Sequence, residues 1–179
     1  MFNKLVILDR DGVINFDSAQ YIKSPAEWKP IPGSLEAIAR LNQSGYRVVV
    51  ATNQSGIGRG LFEMDTLNAI HEKMHKALFA VGGRIDAIYY CPHAADSDCD
   101  CRKPAPGMIL QAARELGIDL PGSFLIGDKP SDIDAARAAG VGTSYLVASD
   151  NPLSVAASTS VSRWSLPACV DLILQAQPA

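Results

Sequence analysis

Five short apolar runs, each ending on polar residues and separated by stretches of helical spacing, constrain this chain more than any other feature. The runs are KLVIL at 4–8, YRVVVATNQ at 46–54, IDAIYY at 85–90, SFLIGD at 123–128 and TSYLVA at 143–148. Their apolar, β-branched character suits buried strands. Between them lie PGSLEAIARLNQSG at 32–45, stopped by Gly45, and a helix from Glu63 to Val81 with Leu67, Ile70, Met74 and Leu78 on one stripe. APGMILQAARELGI at 105–118, stopped at Gly117, and SDIDAARAAG at 131–140 complete the alternation. A Ser-, Ala- and Asn-rich tail of weak pattern follows, then a last helix after Pro167. Such alternation predicts an α/β architecture, a parallel sheet with helices on both faces. No repeat or long linker divides the chain, so residues 1–179 are expected to form a single domain, with a tail and helix over 150–179.

A chain of 179 residues can bury a substantial core, and 47% apolar with 20% charged residues is an ordinary globular composition. No apolar run approaches the roughly 20 residues that cross a bilayer, so no membrane partner is expected. The opening MFNKLVILDRDG is interrupted by charge too soon for a signal peptide, which predicts a cytoplasmic protein. A net charge of −3 argues against a nucleic-acid surface but leaves room for a locally cationic pocket that takes a small anion.

In parallel sheets, ligands gather beyond the carboxyl ends of the strands. Here those ends carry DRD, TNQS, CPH and GDK, which would meet on one edge. Asp9 and Asp11 flank a single residue at the end of the first run. Two carboxylates at close range need a cation or a shared proton, and Mg²⁺ suits oxygen ligands of this kind. Asp128 could add a third carboxylate. Read alone, these acids could equally be turn and cap residues.

Cys91, His93, Cys99 and Cys101 place three thiols and an imidazole within eleven residues. In a reducing compartment this set fits a closed tetrahedral Zn²⁺ site better than a disulfide, which would leave an odd thiol. Closed sites are structural, and anchoring the loop over 91–103 would limit where Lys103 can go, two residues beyond Cys101. Arg102 between them offers a planar fork to a second anionic group.

Taken in order, Asp9-x-Asp11-Gly, Thr52-Asn53, Lys103-Pro104 and Gly127-Asp128 with Asp132 resemble the four motifs of the haloacid dehalogenase superfamily of phosphohydrolases. The resemblance implies a Rossmann-like fold, Asp9 as nucleophile, Asp11 as general acid and base, and Thr52 and Lys103 holding phosphoryl oxygens. It also implies Mg²⁺ held by the carboxylates of Asp9 and Asp128 and the main-chain carbonyl of Asp11. Asp132 would orient Lys103 or a metal-bound water. The gaps between Asp11 and Thr52 and between Thr52 and Lys103 leave no room for a cap domain, so the site should be open, suiting a soluble sugar phosphate and a monomeric enzyme.

Within the superfamily, LDRDGVIN, TNQSGIGRG and YYCPH…CDCRKP look like the heptose bisphosphate phosphatases of ADP-heptose and lipopolysaccharide-core synthesis. The related histidinol-phosphatase domains carry the same four loop ligands, and the five-residue gap between His93 and Cys99 is closer to that type. By the family pattern, Asp17, Ser18, Ala19 and Gln20, and Thr52, Asn53, Gln54 and Ser55, would line the sugar site. Arg102 and Lys129 could hold the phosphate that does not react.

HEKMH at 71–75 formally matches a zinc-protease helix, but no third ligand follows, and the residues read as a charged surface helix. Gly56, Gly58 and Gly60 read as a flexible loop beside Thr52, with Arg59 near the mouth. Cys169 and the two tryptophans read as packing residues.

Overall fold

The computed structural model describes residues 4–147 and 165–176. Ala148, the Ser/Ala/Asn-rich tail and Trp164 lie outside them. Strands β1 (Leu5–Leu8), β2 (Arg47–Asn53), β3 (Ala87–Cys91), β4 (Phe124–Gly127) and β5 (Thr143–Leu146) form one parallel sheet in the order β3-β2-β1-β4-β5. In the central strand, Ile7 pairs with Val49 on one side and Leu125 on the other. The chain therefore leaves β1 toward β2 and later returns to pair β4 on the opposite side. That reversal opens a crevice at the carboxyl end of β1, where such sheets bind ligands.

Successive strand residues point to opposite faces, so each strand feeds two cores. Val6, Leu8, Val48 and Val50 pack with α1 (Ser34–Gln43), α3 (Met64–Ala80) and α6 (Leu166–Gln175). From α3 come Ile70, Met74 and Leu78, while Cys169 and Val170 come from α6. Leu5, Ile7, Val49 and Ala51 instead face Met108, Ile109 and Ala112 of α4 (Gly107–Leu116) and Ala135 and Ala136 of α5 (Pro130–Ala139). Each such aliphatic side chain, wholly removed from water, stabilises the fold by about 1.5–3 kcal/mol relative to exposure. Cys169 and Trp28 are buried, as a packing role requires.

Element boundaries follow local chemistry. Gly117 and Gly140 end α4 and α5 with φ of 63° and 89°, a left-handed conformation that glycine adopts at least cost. The last helix begins at Leu166, one residue before the expected proline, because a residue without N–H is tolerated in the first turn. Strand β3 starts at Ala87, later than expected, and reaches Cys91. Ahead of it the Asp86 carboxylate accepts the Val48 N–H at 2.9 Å and so replaces a ladder bond.

The Gly56–Gly60 segment corrects its sequence reading. Ser55–Gly58 is a helical turn, α2, and its glycines serve close packing rather than looseness. Gly58 donates its N–H to Pro92 O at 2.8 Å, and a Cβ there would lie 2.6 Å from that oxygen. Gly56 lies against the Phe62 ring. Among the described residues no inserted cap interrupts the sheet, and no helix is long and apolar enough to cross a membrane.

Candidate active site

Beyond β1 the chain turns sharply. Asp9 N–H donates to Ile126 O at 3.0 Å, and Arg10 O accepts the N–H groups of Val13, Ile14 and Asn15. Gly12 sits in this turn at φ 85°, where a Cβ would collide with the Asp128 carboxylate. Residue 12 must therefore be glycine on both backbone and steric grounds. The reward is a close approach of the first and fourth strand ends.

Asp9, Asp128 and Asp132 are all buried, with one carboxylate oxygen from each within 4.8 Å of the others. Lys103 Nζ reaches among them, 3.1 Å from Asp9 Oδ1 and 2.6 Å from Asp132 Oδ1, and donates to Ala51 O at 2.7 Å. Asp132 Oδ2 accepts the N–H groups of Asp128 and Lys129 at 3.0 and 3.1 Å. Both oxygens of Asp132 are thus engaged with protein groups. Asp128 Oδ1 is buried and has no partner.

Burial, reinforced by the charge of Asp132, pushes the Asp9 carboxyl well above its ordinary range, and Lys103 only partly opposes this. Burial likewise drives Asp128 up to about 6. It also works against the Lys103 charge, but Asp9 and Asp132 outweigh it and hold the ammonium protonated. Three buried acids facing one buried cation leave the site short of positive charge. A hard divalent ion bound by Asp9 and the unpartnered oxygen of Asp128 would correct that deficit.

Asp11 is held differently, by donors on both oxygens. Oδ1 accepts Arg10 Nε and Asn15 Nδ2, each at 2.9 Å, and Oδ2 accepts Gln54 Nε2 at 3.1 Å. Gln54 also donates to Thr52 Oγ1 at 2.9 Å, tying the end of β2 to the first turn. Asn53 makes a reciprocal pair with the Lys103 backbone: its Nδ2 donates to Lys103 O at 3.2 Å, and its Oδ1 accepts Lys103 N–H at 3.0 Å.

On the far side of Lys103, Cys91 Sγ, His93 Nδ1, Cys99 Sγ and Cys101 Sγ also fall within 4.8 Å of one another. Cys91 and Cys99 lie 3.8 Å apart, and His93 Nδ1 is 3.5 Å from Cys91 and 3.3 Å from Cys101. A tetrahedron with 2.3 Å metal–sulfur bonds has edges of about 3.8 Å, so the cluster is close to a metal cage, with Cys91 and Cys101 drawn nearer at 2.8 Å. Cys91, Cys99 and Cys101 form no disulfide. Burial and the neighbouring sulfurs push Cys101 up to about 12. Three thiols this close cannot all ionise without a cation among them.

The rim is more exposed. Asp17, Ser18, Ala19 and Gln20 are all exposed, and Asp17 Oδ2 lies 3.5 Å from Lys129 Nζ. Arg102 Nη1 donates to His93 O at 3.4 Å. Ser55, at the start of α2, is buried.

Three residues of the site escaped the sequence reading: Arg10, Asn15 and His71. The HEKMH segment is not a surface motif throughout, because His71 is only 8% exposed and its Nε2 lies 3.1 Å from Arg10 Nη1, whereas His75 is exposed. An arginine between two acids was the available signal for Arg10. Nothing local marked its distant partner.

Residues 3–140 match the family model described as haloacid dehalogenase-like hydrolase. The chain is 58% identical over 137 residues to a D-glycero-beta-D-manno-heptose-1,7-bisphosphate 7-phosphatase from Bordetella bronchiseptica, a match covering 76% of each chain. A protein of the same name from Pseudomonas aeruginosa is 53% identical over 138 residues, covering 77% of this chain and 78% of the other. A crystal structure of D,D-heptose 1,7-bisphosphate phosphatase from B. bronchiseptica, complexed with magnesium and phosphate, superposes with a TM-score of 0.87 at 48% identity. That superposition covers 96% of this chain and 98% of the other.

Proposed function

The chain belongs to the haloacid dehalogenase-like hydrolases, and on that premise we propose that it removes the 7-phosphate of D-glycero-β-D-manno-heptose 1,7-bisphosphate. The products are heptose 1-phosphate and inorganic phosphate. The observation that carries the reading is the meeting of Asp9, the unpartnered Asp128 oxygen and Lys103 Nζ beside Asp11 and Thr52. The β-anomer and the heptose come from the names of the relatives above. The enzyme would act as a cytoplasmic monomer on a soluble metabolite, in supply of ADP-heptose for the lipopolysaccharide core, with no nucleic-acid or membrane partner.

An oxygen of the Asp9 carboxylate attacks phosphorus, and the bond to the sugar oxygen breaks. Asp11 gives its proton to that leaving oxygen, so heptose 1-phosphate departs as an alcohol rather than an alkoxide. Water then attacks the aspartyl-phosphate, Asp11 takes a proton from that water, and the Asp9–phosphorus bond breaks to release phosphate. Throughout, Lys103 Nζ and Thr52 Oγ1 stabilise equatorial oxygens, while Asp132 keeps the lysine aimed. The residues fit Mg²⁺, held by the carboxylates of Asp9 and Asp128 and the Asp11 carbonyl, and the bound ion would offset the charge of the acids and the phosphoryl group. The crystal complex of the B. bronchiseptica relative with magnesium and phosphate supports this choice.

Cys91, His93, Cys99 and Cys101 fit Zn²⁺ as a closed structural site that fixes the loop bearing Arg102 and Lys103. Arg102 and Lys129 then serve the 1-phosphate, and Asp17 to Gln20 with Asn53, Gln54 and Ser55 border the sugar. Residues 1–179 act as one domain. The test is phosphate release with Mg²⁺ from both anomers of the heptose bisphosphate and from histidinol phosphate, the substrate favoured by the short gap after His93. The β-anomer should turn over fastest, and Asp9→Asn should lower its kcat by about 10³-fold or more. Faster turnover of histidinol phosphate would overturn the substrate, and no Mg²⁺-dependent release from any ester would leave a zinc-stabilised binding module.

A further inference from the structure

Arg10 is wholly buried, and its guanidinium faces two ways. Nε and Nη2 each lie 2.9 Å from Asp11 Oδ1, while Nη1 lies 3.1 Å from His71 Nε2. A guanidinium has donors and no acceptor, so Nε2 must accept this bond and the ring must be neutral, with its proton on Nδ1. Burial, with the Arg10 charge beside it, lowers the His71 pKa to about 3 and agrees with a ring that never carries charge at neutral pH. No step of the reaction uses this side chain.

We propose that His71 is a positioning residue for the general acid, acting through Arg10 to fix which oxygen of Asp11 faces the leaving group. The inference rests on the phosphatase reading. Arg10 Nε and Asn15 Nδ2 donate to Oδ1, against one donor, Gln54 Nε2, at Oδ2. The positive charge of the guanidinium also lies at Oδ1, Nη2 being 2.9 Å away without a hydrogen bond of its own. Donors stabilise the anionic oxygen they touch, so the transferable proton belongs on Oδ2. This assignment holds only while the plane of the Arg10 guanidinium is fixed, and His71 holds its third nitrogen. A carboxylate at position 71 would compete with Asp11 for the buried cation, whereas a neutral acceptor satisfies Nη1 without drawing it away. Helix α3 is itself tied to the loop beside the site, because Lys73 Nζ donates to Pro25 O at 2.7 Å and Trp28 O at 3.0 Å.

An acid matters most when the leaving group is a poor one. The ratio kcat/KM reports events up to formation of the aspartyl-phosphate, so it separates leaving groups. His71→Met should lower kcat/KM about 10-fold or more for an alkyl phosphate such as the heptose bisphosphate, yet less than about 3-fold for p-nitrophenyl phosphate. His71→Gln, which keeps a neutral acceptor, should recover most of the lost selectivity. Equal losses on both esters, or no loss on either, would overturn the proposal. Should His71→Met fail to fold, the ¹⁵N spectrum of the wild-type ring decides: an unprotonated Nε2 at neutral pH supports the proposal, and a protonated Nε2 overturns it. Absence of turnover by the wild type would instead be a failure of the phosphatase reading.

Discussion

At the ends of β1 and β4, the carboxylates of Asp9 and Asp128 are fixed by the sheet: Asp9 N–H bonds to Ile126 O, and Gly12 lets the two strand ends close on each other. Across the site, residues 92–106 hold no strand or helix, and Lys103 arrives from this irregular segment. The same need for accuracy is met by two kinds of construction. In one, ladder hydrogen bonds and packed aliphatic side chains set the geometry. In the other, three sulfurs and an imidazole gather just ahead of the lysine, and Asn53 grips the Lys103 backbone through both its side-chain oxygen and nitrogen. The comparison teaches where each half is vulnerable: the acidic half to loss of charge balance, the cysteine half to loss of its anchors.

Lys103→Met would damage the join between the halves and should have the largest effect of the changes that test this comparison. It leaves the buried carboxylates of Asp9 and Asp132 without their cation, at a cost of about 3–5 kcal/mol in stability without Mg²⁺. Under the proposed mechanism it also removes a donor to the phosphoryl group and should lower kcat by about 10²–10³-fold. Urea unfolding and steady-state kinetics measure the two losses. A variant as stable and as active as the wild type would separate the halves altogether.

Asn53→Ala should have a smaller effect that distinguishes anchoring from substrate contact. It deletes the reciprocal pair with Lys103, two hydrogen bonds that each contribute about 0.5–1.5 kcal/mol. We expect kcat to fall about 5–10-fold with little change in KM. A rise in KM at constant kcat would instead leave Asn53 only the place beside the sugar that the family pattern implies, and no part in aiming Lys103.

The two halves were also unequally legible in the sequence. Strand ends could be read because apolar runs terminate visibly, and Asp9, Asp11, Thr52 and Asp128 sit just where they stop. Cys91, His93, Cys99 and Cys101 could be read because metal ligands are few in kind and close in number. What escaped depends on packing between distant segments. His71 looks like part of a charged helix until α3 lies along the sheet and brings it to Arg10, sixty-one residues away in sequence. Gly56, Gly58 and Gly60 look like a loose loop until Phe62 and Pro92 occupy the space that side chains at the first two would take.

The central claim is that the cysteine cluster binds zinc and thereby holds Lys103 opposite Asp9. Its most direct test is kcat/KM for the heptose bisphosphate after a chelator has removed zinc, with Mg²⁺ kept in excess. We predict a loss of about 10–100-fold, restored by adding Zn²⁺. Unchanged kinetics in protein verified to be zinc-free would contradict the account.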